Sequence, residues 1–204
     1  MSAERGLPRP EMSVAQAAAV ISDLWGVSGD LTELGSQQDR NFRVSGAGGN
    51  SALFKVSNRA CDTDELDAQN AAMSLLAAEG FAVPEPIPTR AGDDLAEVDL
   101  ATGTHAVRLL TWVPGRPLAD SRVLPEAEIA RVGSLAGRIS RVLERFDHPG
   151  LDRSLQWDLA AARDVVEPLL PLVPDTEHRR QLADAVESAW TVVSTFADEL
   201  PRQA

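Results

Sequence analysis

The hydrophobic pattern begins at Ser13, from which VAQAAAVISDLWG places Val14, Ala17 or Ala18, Ile21 and Leu24 or Trp25 on one helix face, with Gly26 as the stop. A short amphipathic helix is predicted there. Three strand-like runs follow, Leu31 to Leu34, Asn41 to Val44 and Ala52 to Val56, the last two parted by Gly46-Ala47-Gly48-Gly49-Asn50. Short runs joined by such turns predict an antiparallel meander. In Leu53-Phe54-Lys55-Val56 the pleat assigns Leu53 and Lys55 to one face and Phe54 and Val56 to the other.

Asp62-Thr63-Asp64-Glu65 has the form of a helix start, an acidic N-cap with a glutamate three residues on, and Leu66, Met73, Leu76 and Ala77 keep one stripe until Gly80. Phe81 to Pro88 carries prolines at alternating positions and must run extended. Glu97 to Asp99 and His105 to Trp112 then read as two strands around Thr102-Gly103, and Pro114-Gly115-Arg116-Pro117 breaks the pattern. Beyond Pro125 everything reads as helix: Ile129, Val132, Ala136, Ile139, Leu143 and Phe146 form one stripe, and further helices are expected from Trp157 to about Leu170 and from Thr176 to Leu200. The first residues hold two prolines, a glycine and no apolar period. The chain therefore reads as α+β in three parts: a disordered tail over 1–12, a strand-rich part with one embedded helix over 13–114, and helices over 115–204, with a hinge near residue 115. The sheet is expected to be mixed, of about five strands, with Lys55 on the central one and the 62–79 helix packed against it.

Composition narrows the chemistry. Asp and Glu number 31 against 19 Lys and Arg, a formal charge of −12 with pI near 4.6, which argues against nucleic-acid or anionic-membrane partners, since these need clustered cations. Cys61 is the one cysteine, so an intrachain disulfide and a four-cysteine zinc site are excluded and a reducing, cytoplasmic setting is expected. The apolar stretch Ala17 to Ile21 is too short and too interrupted for a signal peptide or a membrane span. Small molecules remain as the expected partners. The acids Asp93, Asp94, Glu126 and Glu128 lack paired metal-ligand spacing, and His105, His148 and His178 read as structural.

Eighteen of the 19 basic residues are arginine, and Lys55 is the single lysine. An ammonium is a compact point charge that meets a phosphate oxygen or a buried carboxylate end-on, whereas a guanidinium is a planar fork. On a strand with apolar neighbours Lys55 wants a partner, and the following helix offers Glu65 and, inside its apolar stripe, Gln69. Glu65 has an equal claim as the capping-box residue. Between the first two strands lies the polar turn Gly35-Ser36-Gln37-Gln38-Asp39-Arg40-Asn41, able to fold over a ligand.

Strand, polar turn, strand, strand with lysine, helix with Glu or Gln, two strands, proline-bearing hinge and helices: this order resembles the small lobe of the protein-kinase-like fold, an antiparallel sheet plus one helix, followed by the first helices of the large lobe. The segments QQDRNFRV from Gln37, ALFKVSN from Ala52, LDAQNAAM from Leu66, VRLLTWVPGRPL from Val107, Phe146-Asp147-His148-Pro149 and Gln156-Trp157-Asp158-Leu159 resemble the aminoglycoside phosphotransferase family in its hydroxylysine-kinase-like branch. The resemblance runs over roughly residues 13 to 204 but covers only the front part of the family. It implies ATP as the nucleotide, with Lys55 on its phosphates and Gln38, Asp39, Arg40 and Asn41 covering them in place of a glycine-rich loop. The Thr111 carbonyl and Val113 amide would face adenine, and Trp112 either flanks the base or packs in the core. Gln69 stands where most of the wider family has glutamate, so Glu65 supplies the charge to Lys55 or the pair is weaker. The family's His-Gly-Asp loop, its asparagine four residues on and a second acidic metal ligand do not occur among the 204 residues, so no catalytic or metal residue is assigned. Mg²⁺ is expected only if that region is supplied. The expectation is the ATP-binding portion of a small-molecule kinase acting on a hydroxyl of an amine or amino acid, inactive alone, its uncovered helices prone to self-association or to a partner chain. A non-catalytic binding or assembly domain of the same fold, or a fragment of a larger multidomain enzyme, is the alternative.

Overall fold

The computed structural model describes residues 9–47, 49–118, 123–151 and 162–196. The chain divides into two compact units, whose main spans are Glu4–Leu151 and Asp152–Gln203.

In the first unit, helix α1 (Val14–Trp25) starts where Ser13 accepts from the Gln16 amide while the Gln16 side chain takes the Ser13 N–H, a complete capping box. Gly26 ends it in the left-handed conformation at φ 69°, and a side chain there would collide with the Arg90 guanidinium. Strands β1 (Asp30–Leu34), β2 (Arg40–Ser45) and β3 (Ser51–Val56) form the meander. Helix α2 (Thr63–Ala78) follows, N-capped by Asp62, then β4 (Pro86–Ile87), β5 (Ala96–Leu100) and β6 (Gly103–Thr111). The sheet runs β1-β2-β3-β6-β4, with β5 on β6, and every pairing is antiparallel. The sheet is antiparallel throughout, as the kinase-like resemblance implied, and not mixed; it has six strands rather than about five, the added one being β4, within the segment read only as extended because of its prolines.

Alternation sorts the side chains into two layers. Phe42, Val44, Ala52, Phe54, Val56, Val107 and Leu109 face α1 and pack with Ala17, Ile21 and Trp25. Trp25 meets Phe54 edge-on at 5.9 Å and donates from Nε1 to the Ile87 carbonyl at 2.7 Å, tying α1 to the edge strand. Asn41, Arg43, Leu53, Lys55, Arg108 and Leu110 alternate with these and take the α2 face, where Leu66 and Leu76 are buried. His105 is buried on β6, with Nδ1 on the Ser57 carbonyl at 3.0 Å and Nε2 on Thr102 Oγ1 at 2.8 Å, a structural histidine inside the strand rather than at its edge. Within the stretch read as a tail, Pro10 and Met12 are buried and Arg9 donates to the Asp39 carbonyl; residues 1–8 lie outside the described residues.

After β6 the described elements are helical. Helix α3 (Glu126–Leu143) leaves Ile129, Val132 and Leu135 exposed on its apolar stripe, and Arg138 lies over the Phe81 ring at 4.8 Å. A 3-10 turn, Pro149–Leu151, lies against the start of α2. The second unit holds α4 (Ala162–Val166), a 3-10 segment Glu167–Leu172 with Pro171 inside it, and α5 (Thr176–Val193), capped by Asp175. Arg163 pairs with Glu187 at 2.8 Å. The helix expected from Trp157 to Leu170 is therefore α only over its described middle, and residues 157–161 and 197–200 lie outside the described residues. No helix among the described residues is long and apolar enough to cross a membrane.

Gly150 allows the Pro149–Leu151 turn to touch the α2 backbone, because a methyl group at that position would run into the Asp64 carbonyl. Gly150→Ala is expected to lower stability by about 1–3 kcal/mol, read as a shifted urea midpoint with an unchanged slope. An unshifted midpoint would show that turn and helix part without cost.

Candidate functional site

The polar turn after β1 is built around Asp39. Its N–H donates to Ser36 Oγ at 3.2 Å, its Oδ1 accepts the Asn58 N–H at 3.0 Å, and its Oδ2 lies 3.2 Å from Lys55 Nζ. Asn58 also donates from Nδ2 to the Gln38 carbonyl at 3.3 Å. The turn is thereby sewn to the segment just after β3, and both charged side chains are about four-fifths buried, with 20% and 22% exposure.

The sequence reading gave Lys55 the partners Glu65 or Gln69; its ion-pair partner is instead Asp39. The cause is a neighbour. In the β3–β6 register Lys55 stands directly opposite Arg108, and α2 presents its polar groups to Arg108. Gln69 Oε1 accepts from Nη2 at 2.9 Å, while Asn70 Oδ1 and the Leu66 carbonyl accept from Nη1 at 2.9 and 3.2 Å. A forked guanidinium can serve three acceptors spread over one helical turn; a lysine of the same reach cannot. Gln69 in turn donates to Glu65 at 3.3 Å. Arg108 is only 1% exposed, and burial lowers its pKa against the opposing pull of Asp39, Cys61 and Asp67.

Of the expected site residues, Asp39, Asn41 and Lys55 come together, with Asn41 opposite Lys55 across β2 and β3. Asn41 Oδ1 is buried and makes no hydrogen bond among the described residues. Gln69 adjoins them through Arg108. Arg40 is drawn aside to Glu33 at 2.9 Å. Thr111 ends β6, three residues beyond Arg108, and its pairing is unusual: its N–H donates to the Glu85 carbonyl at 2.8 Å, but the Glu85 N–H donates to the Thr111 hydroxyl at 2.9 Å instead of to its carbonyl. Val113 follows in extended chain, half-buried, and Trp112 carries the Arg43 guanidinium over its ring at 4.6 Å. Among the described residues no three His, Cys, Asp or Glu side chains gather as a metal site. Arg108 was the residue the sequence reading passed over. Its signal was an arginine inside the apolar run Val107-Arg108-Leu109-Leu110, at a position whose pleat matches Lys55.

Residues 30–203 match the phosphotransferase enzyme family, abbreviated APH. Hydroxylysine kinase of Bos taurus is 27% identical over 96% of the chain and 54% of its own length. Hydroxylysine kinase of Mus musculus is 30% identical over 70% of the chain and 42% of its length. The chain thus spans about half the length of the curated relatives it matches. Among solved structures, the amicoumacin kinase hAmiN in complex with AMP-PNP, Ca²⁺ and Ami superposes with a TM-score of 0.61 at 14% identity, covering 86% of this chain and 54% of that one. A microcompartment-associated aminopropanol kinase gives 0.60 at 19% identity, covering 75% and 48%. These likenesses show the kinase-like fold.

Asp39→Ala removes the acceptor of the Asn58 N–H and the partner of Lys55 together. The expected loss is about 1–3 kcal/mol, with Asp39→Asn, which keeps an acceptor oxygen, losing less. Equal losses in urea melts would mean that the Asn58 hydrogen bond adds nothing.

Proposed function

The chain belongs to the phosphotransferase enzyme family, and from that premise we propose that these residues form the nucleotide-holding portion of a small-molecule kinase whose acceptor is a hydroxyl of an amine or amino acid. The observation that carries the reading is the sole lysine, partly buried on the central strand, paired with the polar turn at 3.2 Å rather than with the helix. A turn anchored on the lysine is suited to cover phosphates bound there. In this reading Lys55 contacts the phosphates, the turn from Gln38 to Asn41 closes over them, and Glu65 and Gln69 act through the position of α2.

Adenine needs only backbone groups, and Thr111 supports that role. Because the Glu85 amide bonds the Thr111 hydroxyl, the Thr111 carbonyl is left for another donor, and the Val113 amide lies two residues on. Three residues of strand separate Thr111 from the residue opposite Lys55, about 10 Å, a span that suits a nucleoside polyphosphate lying along β6. ATP is the nucleotide proposed, in a cytoplasmic setting. The described residues offer no ligand cluster for Mg²⁺, so no metal is assigned to them. Phosphoryl transfer also needs a carboxylate to orient the acceptor and cations to stabilise the developing charge. The 204 residues hold no His-Gly-Asp loop to supply that carboxylate, so by themselves they bind without transferring. A second reading, a binding or assembly domain of the same fold, draws on the exposed Ile129, Val132 and Leu135 of α3, which would seat a covering partner or a second copy.

Calorimetric titration with ATP separates the two. Weak binding is expected, reduced about tenfold further by Lys55→Ala, as suits loss of one charged contact; tight binding unchanged by the substitution would show that the site is elsewhere, and no binding would favour the assembly reading. ATP turnover with hydroxylated amines, hydroxylysine included, should stay at background for the 204-residue chain, since each missing tenfold of rate is about 1.4 kcal/mol of barrier. Robust turnover abolished by Lys55→Ala would require a base within these residues.

A further inference from the structure

Residues 9–12 fall in the stretch that the sequence pattern assigns to a tail, yet they are built into the molecule. Pro10 and Met12 are buried on either side of the exposed Glu11, Met12 lies in the core with Phe42 and Phe54, and Ser13 opens α1 with its capping box. A proline also confines the residue before it to extended backbone. Arg9 is that residue, so its side chain leaves from a backbone held by Pro10 and Met12.

The place Arg9 reaches is the polar turn, thirty residues on. Its Nε donates to the Asp39 carbonyl at 3.1 Å, and its Nη2 lies 3.5 Å from Glu33 Oε1. Glu33 holds Arg40 through its other oxygen at 2.9 Å. Asp39 and Arg40, where the turn enters β2, are thus both tied to Arg9, one directly and one through Glu33. Asp39 is engaged at every polar group: its N–H by Ser36, its carboxylate by Asn58 and Lys55, and its carbonyl by Arg9. Met12 is anchored in the layer between α1 and the sheet, whereas Lys55 lies on the α2 face, so the turn is tied to both layers. As a source of stability the Arg9 contact is small, because Arg9 and Glu33 are 39% and 36% exposed and ion pairs so placed add little. What it fixes is position. A displaced Asp39 carbonyl carries the carboxylate of the same residue with it, and with that the 3.2 Å contact to Lys55.

We propose that Arg9 is a positioning residue, through which the segment 9–12 acts as a strap that holds the polar turn on Lys55. The consequence for a ligand rests on the function proposed above, in which the turn covers phosphates; the strap rests on the contacts of the free chain alone.

The chain supplies its own probe. Because Lys55 is the one lysine, protein grown with lysine labelled at Cε gives a single ε-methylene signal in an NMR spectrum, and that signal reports the Asp39 pair. The full chain is compared with Arg9→Met, which keeps an apolar stem and loses the donors, by the Lys55 signal, by hydrogen exchange of the Asn58 amide, and by titration with ATP. The Lys55 signal is expected to move toward that of an unpaired lysine, with about tenfold faster Asn58 exchange and about threefold weaker ATP binding, effects kept modest by the exposure of Arg9. Arg9→Lys retains a donor for the Asp39 carbonyl and is expected to restore slow Asn58 exchange, a rescue that side-chain bulk does not explain. Glu33→Gln, which weakens the second tie and leaves the first, should move the Lys55 signal the same way by a smaller amount, so the test does not hang on one variant. Glu11→Ala, on the exposed side of the segment, should leave all three readings unchanged.

A lower melting temperature of Arg9→Met with the Lys55 signal and Asn58 exchange unchanged would reduce Arg9 to a tether of its own segment and overturn the strap. A moved signal and faster exchange with ATP affinity unchanged would uphold the strap and overturn the turn as a cover for phosphates. The same response of Lys55 and Asn58 in a chain whose wild type binds no ATP would uphold the strap and overturn the nucleotide.

Discussion

A charged group taken out of water must find its hydrogen bonds inside, and where those bonds come from decides what can lie next to it. Arg108 takes three from one turn of α2, so the helix is fixed to the sheet at Leu66, Gln69 and Asn70 by a fork that tolerates little rotation. With those acceptors used, Lys55 looks the other way, to the turn between β1 and β2, and that turn is drawn down onto the sheet. One buried guanidinium thereby sets the seating of the helix, the direction of the lysine and the closure of the polar turn. In a kinase-like small lobe where a helix acid pairs with the strand lysine, helix movement and lysine position are coupled. Here Lys55 pairs with the polar turn, and the α2 contact to the sheet is made by Arg108 instead.

Much of the architecture was legible because it rests on periodicity. α1, β1 to β3, α2, β5 and β6 fall within one or two residues of where alternation, helical spacing and the glycines at 26, 80 and 103 place them. What escaped was pairing that the pattern does not encode. Pro86–Ile87 reads as extended either way, and only the register with Leu109 and Leu110 makes it a strand. Pro10 and Met12 are two isolated apolar residues with no period, yet both are buried. The Glu167–Leu172 segment tightens into 3-10 form at Pro168 and Pro171, which lack the amide an α-helix needs, where a helix to about Leu170 had been expected.

The site was legible by residue type and not by contact. A sole lysine flagged its strand, and the polar turn and Gln69 were both marked, but joining Lys55 to α2 assumed that the strand had one cation to satisfy. Strand β6 carries a second at the same level of the sheet, a fact that follows from a register spanning more than fifty residues of sequence. Arginine inside an apolar strand is rare enough to be a signal. It was diluted in a chain with eighteen arginines.

The prolines around β4 have a consequence for how this protein behaves in a crowded solution. A sheet edge displays unpaired amides and carbonyls that can recruit a strand from another molecule, the first step toward disordered aggregates. At this side of β6 the edge consists of β5, with Glu97 and Asp99 exposed along it, and of β4, two residues long and flanked by Pro84 and Pro88 with Pro86 inside. Three residues in five between 84 and 88 have no amide hydrogen to offer, and the charged residues on β5 repel a flat neighbour. The same prolines that hid a strand from the sequence pattern guard the sheet against growing outward, chain upon chain.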